Sequence, residues 1–302
     1  MMELALQTSG DFATLRRAAH WAEVRGMAAL ALPDHYYTPS GGPMYDAFVQ
    51  LGALAAVTER IELVLLVSPV TFRHPAVIAK AAATLNDIAP GRFALGLGTG
   101  WLQIEHDVLG LPFPDQSTRF RLLEEQLQYI RAALGDHDHG FDGVHYRLGD
   151  VLLRPPAPEV RLIVGGTGGH RTPGLAGRYA DEFNAYPGPD LAERIERMRV
   201  AATRQGRPPD AVRVSSAGAV FCAADAKAYR AKLERAAAEA GTTVAELENH
   251  FGVRNTPRGP AAEVRVQLEE MRALDVERFY LQTFDDFEVE RETETLELLG
   301  VA

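Results

Sequence analysis

The stretch Gly91-Arg92-Phe93-Ala94-Leu95-Gly96-Leu97-Gly98-Thr99-Gly100-Trp101 decides how this chain is read. It opens on a turn glycine and becomes a strand. Side chains alternate along a strand, so Phe93, Leu95 and Leu97 share one face and Ala94, Gly96 and Gly98 the other. Glycine weakens a strand interior and marks the close approach of a ligand or of another backbone. The run then breaks at Thr99-Gly100-Trp101, a flexible corner carrying a large aromatic. Two readings fit: the floor and lip of a cofactor pocket, or a tightly packed barrel strand with a buried tryptophan.

Strand-like and helix-like stretches alternate on both sides of this run. Glu3–Ser9 reads as a strand, and Asp11–Arg25 as a helix with Leu15, Ala18, Ala19 and Ala22 on one face. Met27–Pro33 is a strand running into Asp34-His35-Tyr36-Tyr37, and a helix is expected over Tyr45–Val57. Ile61–Ser68 is the nearly continuous β-branched and leucine run of a strand buried on both faces. Ser117–Leu134 carries the clearest helical period, through Phe120, Leu123, Leu127, Ile130 and Leu134. Asp142-Gly143 marks the turn of an inserted hairpin between Phe141 and Leu153. Arg161–Gly166 is a strand, followed by a helix over Thr172–Ala180 with Thr172 as its cap and Pro173 in its first turn. Val212–Phe221 reads as one strand, Gly241–Arg258 as an insertion, Arg278–Phe284 as the last strand and Asp286–Leu299 as the last helix.

Eight strands, each followed by a helix, imply a parallel sheet. At 302 residues they fit one (β/α)8 barrel domain over residues 1–302, with insertions in the βα loops, better than a doubly wound sheet. Function is then expected where strands end. Asp34-His35-Tyr36, Ser68-Pro69, Thr99-Gly100-Trp101 and Gly165-Gly166-Thr167 all fall there.

The formal net charge is −10 and no basic run of five or more occurs, which argues against nucleic acid or an anionic membrane as the main partner. A small-molecule substrate is expected instead. The one cysteine, Cys222, permits no intrachain disulfide and sits in the apolar Val220-Phe221-Cys222-Ala223 as a small buried hydrophobe. No apolar stretch reaches membrane-spanning length and the first residues carry no basic leader, so a cytoplasmic protein is expected.

His35 is the leading chemical candidate, an imidazole at a strand end able to exchange a proton near neutral pH. Asp34 could orient it or bind a cofactor group. Strand neighbours point to opposite sides, however, which speaks against a direct Asp34–His35 hydrogen bond. Gly165-Gly166-Thr167-Gly168-Gly169, between a strand and a helix, reads either as an anion cradle of free backbone N–H groups or as a tight turn. His170 and Arg171 would add positive charge to such a cradle. Asp136-His137-Asp138-His139 lacks a converging ligand set and reads as a solvated loop, so no metal is expected. Glu105 and His106, one turn beyond Trp101, face either the pocket or solvent. Arg119, Arg121, Glu124 and Glu125 read as a helix surface with local ion pairs.

Taken together, Asp34-His35, Phe72-Arg73-His74-Pro75, Gly91-Arg92-Phe93, Gly98-Thr99-Gly100-Trp101, Gly110-Leu111-Pro112-Phe113, Gly165-Gly166 and Arg178-Tyr179-Ala180-Asp181 resemble the bacterial luciferase-like monooxygenase superfamily. Within it they look most like the branch that depends on the deazaflavin coenzyme F420. The resemblance runs from Leu4 to about Asn184 and thins towards the C-terminus. It implies a flavin or deazaflavin across the strand ends, a homodimer, and catalysis at His35 beside the reactive ring. It implies a bulge or cis peptide under the ring at Ser68, the end of the third strand, where Pro69 would make a cis bond cheaper. It also implies cofactor contacts from Asp34, Val67, Ser68, Thr99 and Gly100, and a phosphate site at Gly165, Gly166, Thr167 and Gly168. Relatives that oxidise a sugar phosphate carry a glutamate where Trp101 stands. Trp101, Tyr36 and Tyr37 therefore suggest an apolar or aromatic substrate. Hydride transfer with F420 is the expected activity. The alternatives are an FMN-dependent monooxygenase using O2 and a non-catalytic flavin-binding subunit.

Overall fold

The computed structural model describes residues 2–39, 41–135, 140–150, 154–283 and 287–300. Its strands are β1 (Glu3–Thr8), β2 (Ala29–Leu32), β3 (Glu62–Pro69), β4 (Phe93–Gly98), β5 (Phe141–Asp142), β6 (Arg147–Leu148), β7 (Arg161–Gly165), β8 (Glu182–Asn184), β9 (Arg213–Gly218), β10 (Phe221–Ala223), β11 (Arg258–Pro260) and β12 (Arg278–Thr283). Its helices are α1 (Phe12–Val24), α2 (Ala47–Ala55), α3 (Pro75–Ile88), α4 (Gln103–Leu109), α5 (Gln116–Leu134), α6 (Arg171–Tyr179), α7 (Leu191–Arg204), α8 (Ala226–Glu239), α9 (Val244–Val253), α10 (Ala261–Ala273) and α11 (Val289–Leu299).

Eight strands close in the order β1-β12-β9-β8-β7-β4-β3-β2, every pair parallel. This is the (β/α)8 barrel that the alternation predicts. Period-2 patterning splits the apolar residues into two cores. Leu6, Leu30, Leu63, Leu65, Phe93, Leu95 and Leu97 point outward against the helices. Ala5, Ala29, Ala31, Val64, Ala94, Ile163, Ala217 and Tyr280 fill the barrel. An eight-stranded barrel encloses just enough room for side chains. The alanines here make space for the fully buried Tyr280 ring.

The N-terminal end of the barrel is plugged by charge. Arg278, 4% exposed, lies 2.9 Å from both Glu3 and Glu62 and 3.1 Å from the Tyr280 hydroxyl, which donates to Glu182. Burial pulls the Arg278 guanidinium down, but Tyr280, Glu182 and Glu3 more than reverse this and raise it. Arg161 pairs with Glu62 in the same layer.

Several boundaries differ from the sequence reading. Val212–Phe221 is two strands: β9 stays in the barrel, while β10 pairs with β11 as a separate two-stranded sheet. The Gly241–Arg258 insertion contains α9, held by a Thr243–Glu246 capping box, and leads into β11. Helix α2 is shorter than expected, since Asp46 caps it by accepting from the Val49 N–H. Thr172 does not cap α6. It lies inside the first turn, buried, and His170 precedes the helix without a side-chain cap bond. The inserted hairpin is present as β5 and β6, although its expected end at 151–153 lies outside the described residues.

Candidate functional site

The glycine-faced strand owes its composition to a neighbouring backbone. Between Leu65 and Ser68 the register of β3 slips against β4, so its chain bulges over that strand. A Cβ on Gly96 would strike the Leu65 carbonyl oxygen and come within 2.8 Å of the Val67 side chain. A Cβ on Gly98 would lie 2.9 Å from Val67, and one on Gly165 2.8 Å from it. Val67 is thus seated in a socket of three glycines. It packs on the barrel's inner core, partly exposed, and forms an apolar floor at the C-terminal mouth. The cis peptide of this segment joins Leu66 to Val67, two bonds before Pro69.

His35 stands on the loop leaving β2. Its Nδ1 lies 3.1 and 3.3 Å from the two carboxylate oxygens of Glu105, which also accepts from the Tyr36 N–H at 3.2 Å. Glu105 is 1% exposed and sits on the first turns of α4. A carboxylate only accepts, so Nδ1 carries the proton of the neutral ring and Nε2 is left with a lone pair. The Trp101 ring meets His35 edge-on at 6.0 Å and is 74% exposed, which replaces the buried tryptophan with an aromatic at the lip. His106 anchors α4 from behind. It donates from Nδ1 to the Leu102 carbonyl at 2.9 Å, accepts the Thr71 hydroxyl at Nε2 at 2.6 Å, and packs against Phe72 and Phe113. Both Glu105 and His106 are buried, which resolves the two orientations left open by sequence.

Asp34 and Ser68 do not reach the mouth. Both are fully buried, and the Asp34 carboxylate pairs with Arg73. Arg73 also lies 3.3 Å from the Ser68 hydroxyl and 2.7 Å from Asp46. Burial raises the Asp34 pKa, an effect Arg73 and Ser68 only partly offset. With no exposed surface, these two residues brace the ends of β2 and β3. Tyr36 is similarly committed: its ring stacks on Phe72 at 4.6 Å and its hydroxyl donates to Asp46 at 3.0 Å. Thr99 and Gly100 remain partly exposed beside Trp101.

Across the mouth from the floor, the lining is polar. Gln7 Nε2 donates to the Leu66 carbonyl at 2.5 Å, and Gln282 Nε2 donates to Gln7 Oε1 at 2.9 Å. Asn184 donates to the Ser215 hydroxyl at 2.9 Å. After β7 the glycine turn passes Gly166 at φ 152°, a conformation glycine takes without strain. A Cβ on Gly168 would lie 2.6 Å from the Thr172 hydroxyl. Thr167, His170 and Arg171 are exposed there, and Arg197 donates to the Gly169 carbonyl at 2.7 Å.

A separate cavity of about 510 Å³ opens at the barrel's other end, lined by Glu3, Arg199, Asp210, Arg272, Asp275 and Glu277 among others. Ion pairs such as Arg199–Asp275 at 2.7 Å occupy its charges, and no sequence-predicted site residue lies there. Among the described residues no group of three or more His, Cys, Asp or Glu is placed to hold a metal. The Asp136–His139 stretch lies outside them. Cys222 is buried, and burial raises its thiol pKa. Glu124 does more than decorate α5, since it pairs with Arg178 at 2.6 Å. Glu125 accepts the Val144, His145 and Tyr146 N–H groups of the hairpin.

These elements define a (β/α)8 barrel with one composite mouth: an apolar floor, a carboxylate-held histidine, an amide-lined wall and a glycine turn beside basic side chains. The family model for luciferase-like monooxygenases matches residues 3–287, and the chain belongs to that family. It is 34% identical over 199 residues to an F420-dependent glucose-6-phosphate dehydrogenase of Microbacterium testaceum (strain StLB037), covering 63% of this chain and 59% of that one. It is 30% identical over 272 residues to the pyrimidine monooxygenase RutA of Caulobacter sp. (strain K31), covering 80% and 76%. Matches to the dehydrogenases span about half of those relatives: 59%, 49% and 48% of their lengths. An F420-dependent secondary alcohol dehydrogenase in complex with an F420-acetone adduct shares the fold, with TM-score 0.79, 20% identity and coverage of 99% and 98%. No helix among the described residues is long and apolar enough to cross a membrane.

Proposed function

We propose that this chain is an oxidoreductase that holds the deazaflavin F420 across its barrel mouth and exchanges hydride with a small organic substrate. The observation that carries the reading is His35, held at Nδ1 by the buried Glu105 beside an apolar floor. The lining suits a flat tricyclic group: Val67 covers Gly96, Gly98 and Gly165, and Thr99 and Gly100 are partly exposed beside Trp101. The basic side chains Arg171 and Arg197 beside the turn at Gly165, Gly166, Thr167 and Gly168 suit its phosphate. The bound deazaflavin supplies hydride chemistry. The chain supplies orientation, a water-poor floor, and proton exchange at His35 Nε2 with a substrate oxygen. Trp101 is too apolar for acid–base work, which favours an apolar or aromatic substrate over a sugar phosphate.

The likeness to RutA favours a second reading, an FMN-dependent monooxygenase using O2. Titration of apo-protein with F420 and with FMN separates the two. Tighter F420 binding is expected, and preference for FMN overturns the choice. His35→Ala should lower turnover at least ~100-fold with the cofactor still bound. A cytoplasmic homodimer belongs to the same proposal. Exposed Val49, Val77 and Ile88 on α2 and α3 support the pairing, which sedimentation would test.

A further inference from the structure

We propose that Gln282 is a specificity-determining residue whose side-chain carbonyl accepts a hydrogen bond from an N–H or O–H on the edge of a flat substrate. The inference rests on the reading of the mouth as an oxidoreductase site and names the kind of substrate it selects.

An isolated amide can turn over and exchange its oxygen for its nitrogen. This one cannot, because the chain of amides begins on a backbone carbonyl. The Leu66 oxygen only accepts, so Gln7 must present Nε2 to it, at 2.5 Å. Gln7 Oε1 is then the acceptor for its neighbour, and Gln282 must present Nε2, at 2.9 Å. The same Nε2 lies 3.4 Å from the Tyr186 hydroxyl oxygen. Gln282 Oε1 is the end of the relay. It makes no hydrogen bond among the described residues, and it is not among the side-chain atoms sealed from solvent.

Its place follows from strand phase. Arg278 and Tyr280 point into the barrel from β12, so Gln282 points the same way one step nearer the mouth. β12 and β2 flank β1, which puts Gln282 and His35 at the ends of the strands on either side of Gln7. The opposite half of the mouth is Val67 on its glycines. A flat substrate held in the mouth above that floor meets one fixed acceptor at its edge. A site built to pair a donor rejects an analogue lacking it more strongly than an apolar pocket rejects an extra methyl group.

The test uses 2-quinolone, which carries an N–H, and N-methyl-2-quinolone, which does not. Binding is followed by Trp101 fluorescence in apo-protein and again with F420 added. The other tryptophan, Trp21, is 7% exposed and packed on Phe287. Wild type is expected to bind the N–H probe at least about tenfold more tightly, the worth of one hydrogen bond in a partly dry site. In Gln282→Leu and in the closer isostere Gln282→Met, that ratio should fall to near one, with affinity for the N-methyl probe retained. Equal affinities in wild type, failure of either probe to bind, or the same preference in both variants overturns the assignment. Loss of the preference only when F420 is present also overturns it, by giving the acceptor to the cofactor. Failure of F420 to bind while the probe preference stands would sink the F420 reading and leave this one intact.

Discussion

Replacing Glu105 tests the central geometry without needing a substrate. Its carboxylate receives two donors, His35 Nδ1–H at 3.1 and 3.3 Å and the Tyr36 N–H at 3.2 Å. Glutamine in its place has one carbonyl and one NH2 group; with the carbonyl at the oxygen nearest Tyr36, the NH2 takes the position 3.1 Å from Nδ1 and sets a donor against a donor. A backbone N–H cannot move its proton, but an imidazole can. Glu105→Gln is therefore expected to turn its carbonyl to Tyr36 and its NH2 to His35. This drives the neutral ring to the tautomer protonated at Nε2 and removes the lone pair from the mouth. Nitrogen-15 NMR of the imidazole, at a pH where the ring is neutral, reads this directly: Nδ1 protonated in wild type, Nε2 protonated in the variant. Glu105→Ala removes a charge-assisted hydrogen bond worth about 1.5–3 kcal/mol and orphans the Tyr36 N–H at about 1–3 kcal/mol. Partial relaxation of the loop reduces the sum to roughly 2–4 kcal/mol, or about 5–10 °C in melting temperature for a chain of this size. The same Nδ1–H tautomer in both proteins, or an alanine variant melting within a degree of wild type, would refute the reasoning.

Gly98→Ala should destabilise by about 1–3 kcal/mol through collision with Val67, and Val67→Ala should rescue it. Gly96→Ala should resist that rescue, since its Cβ meets the Leu65 backbone; denaturant melts of the four proteins check both statements. Arg73→Met leaves the buried Asp34 without its partner and should cost about 3–5 kcal/mol, partly restored by adding Asp34→Asn, as read by thermal unfolding. Glu246 is held at about 2, down from 4.5, by the Thr243 N–H and then by the Thr243 and Thr242 hydroxyls. A folded pKa below the unfolded one stabilises fully above about 4.5 and is lost as pH falls towards about 2. Glu246→Gln should therefore destabilise α9 at pH 7 and change nothing near pH 2, measured by hydrogen exchange.

Much of the barrel was legible because its signals are local. The alternation of β-branched runs with helical periods needs no tertiary information, and neither does the bare Ala94, Gly96 and Gly98 face. Strand ends located the mouth and put His35, Thr99 and Gly100 at it. Val212–Phe221 misled because its apolar pattern runs through the break between β9 and β10. The burial of Asp34 was not legible because a residue beyond a strand end need not keep that strand's phase, and because its partner Arg73 lies 39 residues away. Glu105 carried no periodic signal, being a single acid between exposed Ile104 and buried His106.

By itself, then, the amino-acid order determined the repeating units and the parallel barrel, since both follow from spacing along one chain. Only the folded structure decided which polar groups meet. His35 and Glu105 are 70 residues apart, and Gln7 and Gln282 are 275 apart. It also decided that Gly96 and Gly98 make way for Val67, because the slip in β3 changes which backbone lies over β4. Periodicity fixes a face, but a hydrogen bond needs a partner within about 3 Å, and only closure of the barrel brings one there.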